Sequence, residues 1–215
     1  MPQIFHPSMN TISRVSIFGA VFFVLAGVGI LAALVRSPYA TEVGVVRVQP
    51  VPFSHAHHVG DVGIDCRYCH QTVETAAFAG MPSTDVCMDC HSQLWNDSPM
   101  LAPVRESYRS GEPLAWTRVS DLPDFAYFNH AIHVKKGVAC GTCHGRVDEM
   151  PLMYREETLH MQWCLDCHRN PEKYVRPREA VFVMDWEPDQ TTPSGEDLVA
   201  LHAIDSKADC SICHR

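Results

Sequence analysis

Two things are missing from this chain of 215 residues: a cysteine to spare and a surplus of positive charge. All ten cysteines fall in C-x-x-C pairs, which leaves none for a lone reactive thiol or an unpaired disulfide partner. Lysine and arginine number 17 against 25 aspartates and glutamates, a net charge of −8. Nucleic-acid binders display basic patches, so this balance argues against nucleic acid as a partner. It suits docking against a basic patch on another protein.

Charge is also absent from Val15 to Val35, 21 residues bounded by Arg14 and Arg36. A helix of that length spans roughly 31 Å, the thickness of a bilayer's hydrocarbon core. No small-x-small cleavage site stands before Thr41, and a signal peptide's apolar region is usually shorter, about 7–15 residues. Residues 1–36 are therefore expected to be a retained single-pass anchor in contact with membrane lipid. The two arginines balance, so the positive-inside rule gives no orientation.

Each cysteine pair is followed at once by histidine: Cys66-Cys69-His70, Cys87-Cys90-His91, Cys140-Cys143-His144, Cys164-Cys167-His168 and Cys210-Cys213-His214. Two cysteines three apart share one turn of backbone and reach the two vinyl groups on one porphyrin edge. The next histidine then falls under the iron as proximal ligand. Zinc ribbons and disulfide frameworks explain paired cysteines but demand no histidine behind each pair. The cofactor expected is haem c, five copies, with iron as the bound metal. Thioether attachment takes place outside the cytoplasm, so everything after Arg36 is expected on the outer, periplasmic face of a bacterial inner membrane.

The chain repeats itself. Phe53-Ser54-His55-Ala56-His57-His58 precedes the first motif and Phe128-Asn129-His130-Ala131-Ile132-His133 precedes the third. His55 lies 11 residues before Cys66 and His130 lies 10 before Cys140. Each copy runs on to a second motif, Cys-Met-Asp-Cys-His in one and Cys-Leu-Asp-Cys-His in the other. This is a duplicated two-haem unit. The expected organisation is a linker at 37–52, a first unit at 53–98, a linker at 99–127, a second unit at 128–176 and an extension at 177–215 carrying the fifth motif. About 180 residues shared among five haems leave roughly 35 for each, so the fold class expected is a mostly irregular, short-helix domain built around haem faces.

A low-spin carrier needs a sixth ligand on each iron. H-x-x-H on a helical turn points two rings to similar sides, so His55, His58, His130 and His133 are expected as four distal ligands. His57 faces Ile132 in the other copy and reads as surface. The fifth ligand stays open between His202, eight residues before Cys210, and a methionine, Met161 or Met150. The four tryptophans read as haem-packing aromatics.

The doubled F-x-H-x-x-H ahead of C-x-x-C-H resembles the class III multihaem cytochromes c. The single N-terminal helix, the repeat, Trp163-Cys164-Leu165-Asp166-Cys167-His168-Arg169 and the closing Cys-His-Arg are similar, over nearly the whole chain, to the pentahaem subunits of bacterial alternative complex III. That resemblance implies a respiratory electron-transport subunit with no catalytic residues of its own. Its implied partners are quinol-oxidising integral membrane subunits, an iron–sulfur subunit, and a monohaem cytochrome c or terminal oxidase. Two other functions compete. Pentahaem nitrite reductases replace one motif histidine by lysine, which no motif here does. Short membrane-anchored cytochromes that oxidise quinol alone place the first motif close behind the anchor, whereas Arg36 and Cys66 are 30 residues apart here.

Overall fold

The computed structural model describes residues 4–214; Met1, at the end expected to face the cytoplasm, and Arg215, in the closing Cys-His-Arg, lie outside them. The chain divides after Val43 into two compact units. The first holds α1 (Ser8–Arg36) and a short α2 (Pro38–Thr41). Pro38 holds Ser37 in extended backbone with ψ at 158° and so ends α1. Arg36 donates to the Ala32 carbonyl at 3.1 Å, a cation placed at the negative end of the helix dipole. No residue of α1 is buried, and the helix is long and apolar enough to cross a membrane. A membrane anchor and a signal sequence both fit it.

The second unit, from Gly44 onward, is made of short helices and connecting loops. They are α3 (Cys66–Cys69), α4 (Thr84–His91), α5 (Ala102–Ser110), α6 (His130–Lys135), α7 (Cys140–His144), α8 (Met161–Arg169), α9 (Gly195–Leu201) and α10 (Cys210–Cys213). Among the described residues there is no strand, only isolated bridges such as Val138 with Val175. Every C-x-x-C pair lies on a helix. A turn of 3.6 residues brings cysteines three apart to one side, as double attachment requires.

The core made by protein side chains is slight. Among the described residues ten apolar ones are buried, none of them aromatic, and only Met150, Leu198 and Val181 are large and nearly sealed. Such a core cannot by itself hold a unit of this size, because small apolar cores are marginal against chain entropy. Phe78, Phe125 and Phe128 meanwhile stand exposed in the second unit. Apolar surface of this kind fits a fold completed by large flat cofactors.

The candidate haem sites

The recurring hexapeptide explains itself residue by residue. Ser54 Oγ accepts from the His57 N–H at 3.1 Å and Asn129 Oδ1 from the Ile132 N–H at 3.3 Å, so the polar second position caps the first turn in both copies. Phe53 lies edge-on to His55 at 4.9 Å and stacks on His58 at 4.3 Å. Phe128 does the same to His130 at 4.8 Å and His133 at 4.3 Å. One aromatic ring thus fixes the attitude of two imidazoles. His58 Nδ1–H donates to the Ser54 carbonyl at 2.8 Å and His133 Nδ1–H to the Asn129 carbonyl at 2.7 Å. That bond leaves Nε2 as the free lone pair, the tautomer a metal needs.

Three motif histidines are held in the same manner. Nδ1 of His70 meets the Gly80 carbonyl at 2.7 Å, that of His91 the Leu94 carbonyl at 3.0 Å, and that of His214 the Phe125 carbonyl at 3.1 Å. His144 Nδ1 lies 3.4 Å from Ser120 Oγ.

The rings then pair across the chain. His58 and His91 have centroids 6.1 Å apart, His133 and His168 6.1 Å, and His130 and His144 6.4 Å. A metal bonded by an imidazole nitrogen on each side at about 2 Å puts two ring centroids about 6 Å apart. The residues present therefore fit haem iron between each pair. His55 completes the set: His70 is the histidine that acts on it most strongly. Desolvation and then His70 bring the pKa of His55 down to about 4. Desolvation and then His130 bring His144 to about 4 as well. Both rings are kept neutral, as ligation requires.

The cysteines give the sites an order. Cys66 and Cys140 hydrogen-bond to each other, so the first and third motifs touch. Cys69 feels Cys87 of the second motif, Cys143 feels Cys167 and Cys164 of the fourth, and Cys164 feels Cys213 of the fifth. The sites follow one another as second, first, third, fourth, fifth. Tyr68 Oη donates to Asp89 at 2.8 Å and ties the second site to the first. The two copies meet reciprocally at the centre. Ala56 N–H donates to the Met150 carbonyl at 3.0 Å, and Ala131 N–H to the Ala76 carbonyl at 3.2 Å. Met150 and Ala76 each stand ten residues after the first cysteine of their own copy.

The three candidates for the fifth distal position fare differently. His202 is buried, and its Nε2 faces the Arg176 carbonyl oxygen at 3.1 Å. A carbonyl only accepts, so Nε2 carries the proton and has no lone pair for iron. The ring instead locks the extension against Gly137, whose φ of +82° suits glycine. Met150 is sealed at the contact between the copies. Met161 is exposed on the first turn of α8, one turn ahead of Cys164, the cysteine that feels the fifth motif. His57 is exposed, 3.4 Å from Asp61. Among the tryptophans, Trp95 stacks on His57 with centroids 5.9 Å apart, and Arg176 lies over Trp186 at 4.9 Å. The sequence showed Phe53, Phe128, Ser54 and Asn129 as part of the repeat but gave them no role beyond it.

Sites that join paired thiols to paired imidazoles define a cytochrome c with several haems. Residues 33–105 match the class III cytochrome C family, and residues 126–215 match cytochrome c7 and related cytochrome c. The chain is also 34% identical over 166 residues to the "Menaquinone reductase, multiheme cytochrome c subunit" of Nitratidesulfovibrio vulgaris, covering 66% of this chain and 79% of that one. It belongs to the multihaem electron-transfer cytochromes c of the class III and cytochrome c7 type, with that subunit as a homologue.

Proposed function

We propose that the chain is the pentahaem electron relay of a quinone-linked complex, anchored in the bacterial inner membrane by α1 with its haem unit on the periplasmic face. The observation that supports it best is the closed coordination at the sites. Three histidine pairs stand at ligation distance, and His55 and His70 are neighbours at a fourth site. Haem, when bound, supplies reversible one-electron exchange. At these four sites the paired histidines would hold the iron and leave no position for a substrate, which supports a relay without bond chemistry of its own. His55, His58, His130 and His133 serve the irons of His70, His91, His144 and His168 in that order. Met161 is the ligand proposed opposite His214.

In this reading electrons enter from quinol-oxidising membrane subunits through an iron–sulfur subunit, and leave to a monohaem cytochrome c or terminal oxidase, as in alternative complex III. The homologue's name, a menaquinone reductase, favours a second reading in which the same relay runs toward the quinone. The test is the purified complex. Its cytochrome chain should gain five haem masses and show no free thiol. Added menaquinol should reduce the haems, and oxidised cytochrome c should reoxidise them. Failure of menaquinol to reduce any haem, together with full reduction by a low-potential cytochrome and quinol formation, would establish the reverse direction. Quinol oxidation by the subunit alone would identify a self-sufficient quinol dehydrogenase.

A further inference from the structure

The two copies keep the same ligands but differ in the surface around their outer sites. In the second copy that surface is covered. Lys136 Nζ donates to the His202 and Ala203 carbonyls at 2.8 Å each, and Ser206 Oγ donates to the carbonyl of His168 itself. Gly195, which opens α9, lies so close to the Glu172 carbonyl that a Cβ would collide with it. The C-terminal extension sits on the outer face of the fourth site.

The same face of the first copy carries other residues. Counting from the paired histidines, Asp61 stands where Lys136 does, His57 where Ile132 does and Trp95 where Glu172 does. Trp95 is 68% exposed, Leu94 61% and Val62 59%. They form one patch: Trp95 stacks on His57, the Val62 N–H donates to the His57 carbonyl, and the Leu94 N–H donates to the carbonyl of Cys90, a motif cysteine. Trp95 also has a φ of +54°, in the left-handed region that bulky residues avoid. The fold accepts local backbone strain while leaving a tryptophan in water, the combination expected where a surface serves binding. The surrounding charge is mainly acidic, with one cation at its edge, Arg105, which donates to the Ser98 carbonyl at 2.9 Å. Residues 53–98 contain six acidic side chains and one basic, Arg67, which is bound to Asp65; residues 128–176 contain six acidic and seven basic.

We infer that the patch of Trp95, Leu94 and Val62, rimmed by Asp61 and Asp97, is the docking site for a soluble redox protein with a lysine-ringed cofactor edge. The partner seats where the chain's own extension seats on the other copy, and it meets the second haem site at one end of the row. An apolar centre with a polar rim is the usual anatomy of a transient interface. An acidic rim steers a cationic protein and repels anionic lipid. The inference rests on the relay reading for its purpose, but not for its test.

The test measures equilibrium binding of a lysine-rich single-haem cytochrome c to the intact complex across a salt series, with turnover on a neutral small-molecule acceptor followed separately. The D61K/D97K double variant should weaken binding at low salt at least about tenfold and flatten its salt dependence. Trp95→Ala should weaken binding about tenfold with the salt slope kept. D205K/D209K, an equal charge change on the extension, should alter affinity less than about twofold. Unchanged binding in D61K/D97K, an equal loss in D205K/D209K, or a Trp95-dependent attachment to phosphatidylcholine vesicles in place of the cytochrome would overturn the assignment. Lost turnover on the small acceptor in the unmodified complex, with cytochrome binding intact, would count against the relay reading and leave the docking site standing.

Discussion

Residues 53–98 and 128–176 are two versions of one device. Phe53 and Phe128 hold their histidine pairs in nearly the same attitude, stacked at 4.3 Å in both. What differs is the helix between. The first copy has one more residue before its first cysteine, and it takes that residue up as a π-helix over Ala56–Asp61, with the Val62 N–H reaching back five residues to His57. The second copy spans the shorter distance with the α-helix His130–Lys135. A π-turn absorbs an inserted residue without moving what flanks it. Ligand geometry was thus held fixed while backbone and surface diverged.

The largest effect that would break the equivalence lies at the distal ligands. Alanine at His58 and at His133 should each turn one haem's worth of low-spin absorbance high-spin, and the same holds for His55 and His130. Unchanged low-spin spectra in two or more of these variants would mean that the repeat serves packing rather than ligation.

Next comes a glycine that has no counterpart. A Cβ at Gly60 would run into the Asp148 carbonyl, while α6 has Lys135 at the corresponding position. Gly60→Ala should cost about 1–3 kcal/mol, as overpacking does. In a unit of this size that lowers Tm by about 2–12 °C. A variant that melts like the parent would show that the π-helix is free of the second copy.

Smaller still, Phe53→Leu and Phe128→Leu should each cost about 1 kcal/mol through the lost ring contacts. Both should shift the electron-paramagnetic g-values of their two haems, because the imidazole planes lose their guide. A response in one copy and none in the other would break the structural equivalence.

The smallest effect belongs to the second copy alone. Arg146 binds Asp148 through Nε at 2.9 Å and Nη2 at 2.7 Å and holds its carboxyl below the ordinary value. The first copy has Thr72 and Glu74 at those positions. A carboxyl whose pKa is depressed on folding stabilises the fold above its unfolded pKa, and that stability is lost as pH falls through the folded value. Asp148→Asn should therefore cost up to about 0.5 kcal/mol at pH 7, since its partner is half-exposed. The difference from the parent in melting curves should vanish in acid. A difference that grows on acidification would contradict the ion pair.

The local patterns were readable because covalent geometry sets them. A C-x-x-C-H run reaches one porphyrin edge wherever it occurs, H-x-x-H faces one side of a turn, and a charge-free stretch of 21 residues makes one long helix. Only the tertiary structure decided which imidazole meets which. His58 and His91 are 33 residues apart in the chain, and nothing local brings them together. The spatial order of the sites, with the first and third in contact through Cys66 and Cys140, inverts the chain order of the first two. It follows from the exchange of backbone hydrogen bonds between copies. His202 makes the same point: its spacing from Cys210 matched that of His58 from Cys66, yet long-range packing turned its Nε2 onto the Arg176 carbonyl. Spacing along a chain fixes what a short segment can present. Which partner receives it depends on packing between segments far apart, and their sequence pattern does not record that.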